Sequence, residues 1–305
     1  MEHDVAGDPN GRLKWTRRTT DKIAAELRSS GIPIGDVTVG RLLREMDYSL
    51  RVNHKKRCSG SPACRDEQFQ YIGKLRKRFA SQNQAIVSID TKKRELVGNF
   101  KNAGRTWQRD AIPVNVYDFR SDADGIAIPY GVYDIRANCG SVFVGVSHDT
   151  PEFAAASLEK WWRYTGRLRY PASSRLLILA DGGGSNGYRN NAWKYGLQRL
   201  CDRHGLTVTV SHYPRGASKW NPVEHRLFSE ISKNWAGRPL DSYETILDYI
   251  RTTTTRTGLR VKAYLDPKSY PTEVRVPSND LARIRCRNHS ILPQWNYTIA
   301  PRNGK

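Results

Sequence analysis

Residues Arg175-Leu-Leu-Ile-Leu-Ala180 form an apolar run that is closed by Asp181 and three successive glycines. A run that short, bounded by turn residues, reads as a buried strand rather than a helix. A second run, Ala85-Ile-Val-Ser-Ile89, ends in the same way on Asp90. Further strands are expected at 126–135, 142–147 and 206–210. Asp149-Thr-Pro-Glu152 opens a helix that runs to Trp161-Trp162, with Pro at the first helical position. Another helix ends near residue 203, and Asn221-Pro-Val-Glu224 opens one that reaches about Trp235. Strands followed by alternating helices and strands make this part of the chain α/β with a mixed sheet.

Upstream the pattern is different. Residues 12–57 read as two short helices around a turn. Thr20 is expected to cap the first, which carries Ile23, Ala24 and Leu27 and is stopped by Gly31-Ile-Pro33. Asp36 is expected to cap the second, with Val39, Leu42, Leu43 and Met46 on one face. Its other face carries Thr38, Arg41 and Arg44, and Arg51, Lys55, Lys56 and Arg57 follow. This is the outline of a helix-turn-helix whose second helix reads a DNA groove. A helical hairpin with a solvated basic face has the same pattern. Residues 58–66 read as a linker and 67–80 as a charged connecting helix. The expected division is therefore a DNA-binding region over 1–57, a linker and connecting helix over 58–82, and a catalytic domain over 83–305.

Lys and Arg number 50 against 30 Asp and Glu, a formal charge of +20. Residues 1–80 hold 17 basic and 10 acidic residues, so the surplus is shared by both parts. Such a surplus points to a polyanionic partner and is more than a small acidic substrate requires. No window approaches the roughly 18 apolar residues of a membrane span. The polar start, Met1-Glu-His-Asp4, has no signal-peptide pattern, and five scattered cysteines fit reduced, cytosolic thiols. Cys58 and Cys64, near His54, do not have zinc-ligand spacing.

Three acids stand out by placement. Asp90 and Asp181 end strands, and Glu224 lies in the first turn of a helix. Strand C-termini are where open α/β sheets bind ligands. Three convergent carboxylates cannot all stay ionised without a cation. Oxygen ligands with incomplete protein coordination suit Mg²⁺ or Mn²⁺, and a pair of such ions can hold the attacking and leaving oxygens of a phosphoryl displacement. Against this, Glu224 is also the third residue of an Asn-x-x-Glu capping box, which would only tie down a helix. Lys92, Lys93, Arg215 and Lys219 surround the expected site as phosphate clamps, and His225 is placed to orient a phosphate or a water. Gly182-Gly-Gly-Ser-Asn-Gly187 satisfies the dinucleotide-binding glycine pattern, but an aspartate directly before it would repel a pyrophosphate. After a metal-binding Asp, the same glycines let DNA or a metal approach the backbone.

Several long strings resemble a known family. They are Ser88-Ile-Asp-Thr-Lys-Lys-Arg-Glu-Leu-Val-Gly-Asn-Phe100, Ile128-Pro-Tyr-Gly-Val-Tyr-Asp134, Ala180-Asp-Gly-Gly-Gly-Ser-Asn186, Ser218-Lys-Trp-Asn-Pro-Val-Glu-His-Arg-Leu-Phe228 and Asn234-Trp-Ala-Gly-Arg-Pro-Leu240. They resemble the Rhodopirellula-type DDE transposases, the ISAzo group of bacterial insertion-sequence transposases. The resemblance implies an RNase H-like (retroviral integrase-like) catalytic domain behind a small all-α helix-turn-helix region. It puts Asp90, Asp181 and Glu224 on the acidic triad of the family. It also implies metal-dependent cleavage at element ends, strand transfer to target DNA, double-stranded DNA as partner, a homo-oligomer on DNA, no membrane, and a bacterial cytoplasmic, nucleoid-associated location. Family members usually carry a further N-terminal helix-turn-helix. The alternative expectation is therefore a truncated protein that occupies element ends without cutting them.

Overall fold

The computed structural model describes residues 5–7, 14–16, 18–50, 63–214, 216–217 and 220–302. Contacts divide the chain into two compact units, Met1–Arg57 and Cys58–Lys305.

In the first unit, β1 (Val5–Gly7) pairs antiparallel with β2 (Lys14–Thr16). No sequence pattern anticipates these strands. Two helices follow, α1 (Thr20–Ser29) and α2 (Asp36–Glu45). The cap of α1 is Thr19 rather than Thr20, its hydroxyl accepting from the Lys22 amide at 3.3 Å. Gly35, not Asp36, occupies the cap position of α2, and no side chain bonds there. Asp36 instead sits in the first turn, where a carboxylate still opposes the positive end of the helix dipole. Ile23, Ala24 and Val39 form a small core with Leu27, Ile34 and Leu43 against it. Leu42 and Met46, expected on the apolar face, are exposed, because a two-helix contact covers only a narrow stripe of α2.

The second unit is built on a mixed sheet. Its strands are β3 (Ala85–Thr91), β4 (Glu95–Val97), β5 (Gly125–Asp134), β6 (Cys139–Gly145), β7 (Arg175–Ala180), β8 (Thr207–His212), β9 (Arg260–Asp266), β10 (Cys286–Asn288) and β11 (Asn296–Ile299). The order is β10-β11-β8-β7-β3-β5-β6-β9, with β4 on β5. At the centre, β3 is parallel to β7 and β7 to β8, while β3-β5 and β5-β6 are antiparallel. This is the strand order of an RNase H-like sheet.

Burial of both faces explains the apolar runs. Leu176, Ile178 and Ala180 join a core under α4 (Pro151–Trp161) and α6 (Asn191–His204), supplied by Phe153, Leu158, Trp161, Trp193 and Leu197. The alternate residues Leu177 and Leu179 meet α3 (Ala63–Ser81) on the other face, against Ile72, Leu75 and Phe79. The expected connecting helix is therefore part of this core. It also starts at Ala63, inside the stretch read as linker, because its charged residues cover the solvent face of an apolar stripe. After α4 a π turn (Trp162–Gly166) leads into α5 (Arg167–Arg169). A third cluster packs the π turn Glu224–Phe228, α7 (Ser229–Asn234) and α8 (Tyr243–Arg251) on β5 and β6 through Val223, Leu227, Ile231, Ile246 and Ile250. α9 (Ser278–Ala282) completes the elements. Among the described residues no helix is long and apolar enough to cross a membrane, and Cys64, Cys139, Cys201 and Cys286 are free thiols.

Candidate active site

The site lies at the C-terminal ends of the central parallel strands. Ile89 of β3 pairs with Ala180 of β7, so the aspartates that follow, Asp90 and Asp181, leave neighbouring strands at one end of the sheet. Glu224 is brought in by the π turn Glu224–Phe228. Its approach depends on Gly131 of β5, the register partner of Asp90. A Cβ at Gly131 would stand 2.6 Å from the Phe228 ring and 3.0 Å from Val223, so only glycine leaves room for this turn on the sheet. All three acids line one cleft of about 610 Å³, together with Asp149 and the backbone of Gly182–Gly184.

The capping-box reading of Glu224 is not what forms. The Glu224 amide donates to the Asn221 carbonyl at 3.0 Å, while the Asn221 side chain turns into the site. Asn221 Oδ1 accepts from Ser88 Oγ at 2.5 Å, and Nδ2 lies 3.4 Å from both Asp90 Oδ2 and Asp181 Oδ1. Ser88 Oγ in turn accepts the Val223 amide at 3.0 Å, so the cap comes from β3. The Glu224 carboxylate lies near enough to Asp90 and Asp181 for their charges to act on one another.

The electrostatics follow from burial and like charge. Asp90 is held well above the ordinary carboxylate range, first by burial, then by the charges of Asp181 and Glu224, although its Oδ1 accepts the Thr91 amide at 2.8 Å. Glu224 is also raised, by burial first and by Asp181, with Asp90 and Lys92 pulling the other way. Both acids are thus raised by burial and by like charge, and they titrate as a pair. His212 at the end of β8 is fully buried and donates from Nδ1 to the Asp181 carbonyl at 2.9 Å. Burial brings its pKa down to about 4, so the ring is neutral at pH 7 and positions Asp181 through the backbone.

Whether these residues suit a metal can be tested on their donor chemistry. Among the described residues no three His, Cys, Asp or Glu side chains close on one point as a cage. A Mg²⁺-type ion does not need a cage, since it is held by one or two carboxylates and keeps several waters. The donors here are carboxylate oxygens only, and they repel one another on one side of an open cleft. That set fits a hard divalent cation.

A family model described as the Rhodopirellula transposase DDE domain matches residues 1–301. The chain belongs to this transposase family. Its mixed sheet is accordingly the RNase H-like sheet of a DDE transposase, preceded by a helical N-terminal region. Among solved structures, the chain is similar to the Mos1 transposase paired-end complex with left transposon end, at 16% identity and TM-score 0.44, over 81% of this chain and 74% of that one. It is also similar to the Mos1 mariner paired end complex with Mn, at 15% identity and TM-score 0.44, over 80% and 72%. The Mos1 strand transfer complex matches at 14% identity and TM-score 0.44 over the same shares. Comparison with curated proteins found no match.

The other expected site residues of this transposase are dispersed. Lys92 is half-buried, bonded to Glu95 at 2.7 Å and 4.7 Å from the Trp235 ring centre, yet it still acts on Glu224 electrostatically. Lys93 is exposed. His225 is exposed and is not among the residues lining the cleft, because the π turn rotates it away from Glu224. In the first unit Thr38 is half-buried and Arg41 and Arg44 are exposed on α2, with Arg41 Nε 3.9 Å from Glu45. Arg51, Lys55, Lys56, Arg57, Arg215 and Lys219 lie outside the described residues. Sequence reasoning missed Ser88, Asn221 and Asp149. Asp149, bonded to Thr91 Oγ1 at 3.0 Å, brings a fourth carboxylate to the cleft. In the sequence it reads only as part of the helix start, where Thr150 forms the cap.

Proposed function

We propose that this transposase-family chain cleaves DNA at the ends of its element and joins the freed 3′ ends to target DNA, with Asp90, Asp181 and Glu224 as metal ligands. The observation that carries the reading is the gathering of these three carboxylates at one cleft around the buried amide of Asn221. Asp90, Asp181 and Glu224 would hold Mg²⁺ or Mn²⁺, two ions in the full reading. Bound there, the metal supplies charge neutralisation at the attacking and leaving oxygens of an in-line displacement.

The chain's own residues do the positioning. Asn221 fixes the spacing of Asp90 and Asp181 from a side chain that is itself locked by Ser88. Gly182–Gly184 line the cleft without side chains, so a phosphodiester can approach the backbone closely. Such a displacement requires no covalent protein intermediate, so alignment and electrostatics carry the rate. In the first unit, Arg41 and Arg44 on α2 supply phosphate and base-edge contacts to duplex DNA. Joining two ends calls for at least two copies on DNA.

The test is incubation of the full chain with Mn²⁺ or Mg²⁺ and DNA that flanks its own gene. Cleavage at a defined position is expected for the wild type, and Asp181→Asn is expected to bind the same DNA without cutting it. Binding without nicking by the wild type, in either metal, would leave a DNA-occupying protein and overturn the enzyme reading.

A further inference from the structure

A second cleft, of about 410 Å³, lies at the other end of the same strands. Arg175 opens β7 and Thr207 opens β8, whereas Asp181 follows the end of β7. A strand of that length puts the two clefts about 20 Å apart. This second cleft is lined by Tyr71 and Arg78 of α3, Arg175, Arg287 of β10, and His289, and no carboxylate lines it.

Its chemistry is the inverse of the acidic site. Among the described residues none of the three arginines is ion-paired to an acid. Arg175 is held ready by Gln82 Oε1 at 3.1 Å and by the Phe79 ring, 5.1 Å from its guanidinium carbon. His289 forms the rear wall, engaged at both nitrogens by Tyr71 Oη and Thr298 Oγ1, each at 2.8 Å. Arg78, Arg175 and Arg287 line this one cleft together, and Arg78 and Arg287 are close enough to His289 to act on it electrostatically. Guanidiniums that share a cleft with no counter-charge repel one another, and an oxyanion relieves that repulsion with forked hydrogen bonds.

We propose that the Arg78–Arg175–Arg287 cleft binds a phosphate of the DNA backbone remote from the reacting one. The inference rests on the DNA-processing reading given above for its partner. At about 3.4 Å per base pair, the separation of the clefts corresponds to roughly six base pairs. Phosphate contacts of this kind set register and orientation and carry no sequence information.

The experiment compares the full-length wild type with R78Q/R287Q and with R260Q/K262Q. The control removes the same charge from the exposed β9 edge of the sheet. DNA affinity is measured over a salt series, with melting temperature as the check on folding. R78Q/R287Q is expected to melt like the wild type, to bind at least several-fold more weakly at low salt, and to lower the slope of log K against log salt by about 1, the signature of one lost phosphate contact. The control is expected to leave the slope near the wild-type value. Equal loss in both variants, or none in R78Q/R287Q, overturns the proposal. Inorganic phosphate supplies a separate arm. If it raises the melting temperature of the wild type and not of R78Q/R287Q while DNA binding is unchanged, the cleft holds a small anion and the DNA assignment fails. A wild type that binds no DNA at all refutes the functional reading itself, which is a different result from a variant that binds normally.

Discussion

Asn221 and Ser88 hold each other across the site, with the serine hydroxyl donating to the asparagine oxygen at 2.5 Å and leaving the amide nitrogen 3.4 Å from Asp90 and from Asp181. The asparagine is completely buried. Its amide is a positive pole between two carboxylates, aimed by a residue of β3. Replacing it by alanine orphans Ser88 and removes that pole. Asn221→Ala is expected to lose about 1–3 kcal/mol of stability and to weaken Mn²⁺ binding by about 10–100-fold, the usual cost of losing a partner that orients metal ligands. Urea denaturation and Mn²⁺ titration read the two effects separately. A stability loss with unchanged Mn²⁺ affinity would make Asn221 a structural residue only.

Gly131 governs how closely Glu224 can approach. Gly131→Ala pushes the Phe228 ring and Val223, and with them the π turn, away from β5. Overpacking of this kind costs about 1–3 kcal/mol. Cleavage is expected to fall far more than the fraction folded, because Glu224 moves relative to Asp90. Phe228→Leu in the same chain makes space for the new methyl and is expected to restore part of the activity. Cleavage assays on the single and double variants, normalised to folded protein, check this.

Asp90 sits where a charge is least welcome without a cation, as its raised pKa records. Its folded pKa lies above the unfolded value, so the metal-free protein loses stability as pH rises through that interval. Asp90→Asn removes the charge but keeps the shape. It is expected to raise the melting temperature of the metal-free protein at neutral pH by a few degrees and to abolish the stabilisation that Mg²⁺ or Mn²⁺ gives the wild type. Thermal melts with and without metal measure both.

His212 has the opposite sign. Its folded pKa of about 4 lies below the ordinary value of 6.5. The unfolded chain therefore binds the extra proton first as pH falls, and the stability contribution present above pH 6.5 is lost progressively towards pH 4. A shift of that size is worth about 3 kcal/mol. His212→Gln is expected to melt lower at neutral pH, and its melting temperature to fall less steeply between pH 6.5 and 4. Melting curves across that range check the slope.

The strand Arg175–Ala180 is found where its apolar run puts it, with the same ends. Asp90 and Asp181 were legible because each closes an apolar run, although β3 itself continues through Asp90 to Thr91. The helix caps were less legible. Thr19 and Gly35 take positions read for Thr20 and Asp36, since neighbouring residues compete for the same backbone amides. The pattern Asn221-x-x-Glu224 offered a local cap, and a longer-range partner won. Ser88 is 133 residues away in sequence and can bond both the Asn221 oxygen and the Val223 amide. No local pattern contains that option. The basic cleft was invisible for the same reason, since Arg78 comes from a helix packed on the central strands, Arg175 from one of those strands and Arg287 from the edge strand β10.

The sequence by itself determined the α/β character of the chain, the strand ends that carry Asp90 and Asp181, and the basic surplus around them. These depend on burial and periodicity, which are local properties of a segment. Only the tertiary structure decided that Glu224 reaches Asp90, that Asn221 bridges the aspartates, that His225 turns outward and that three arginines share a cleft. Those outcomes depend on which surfaces approach closely. Here the approach is set by the missing side chain of Gly131 and by the register of β3 with β5 and β7.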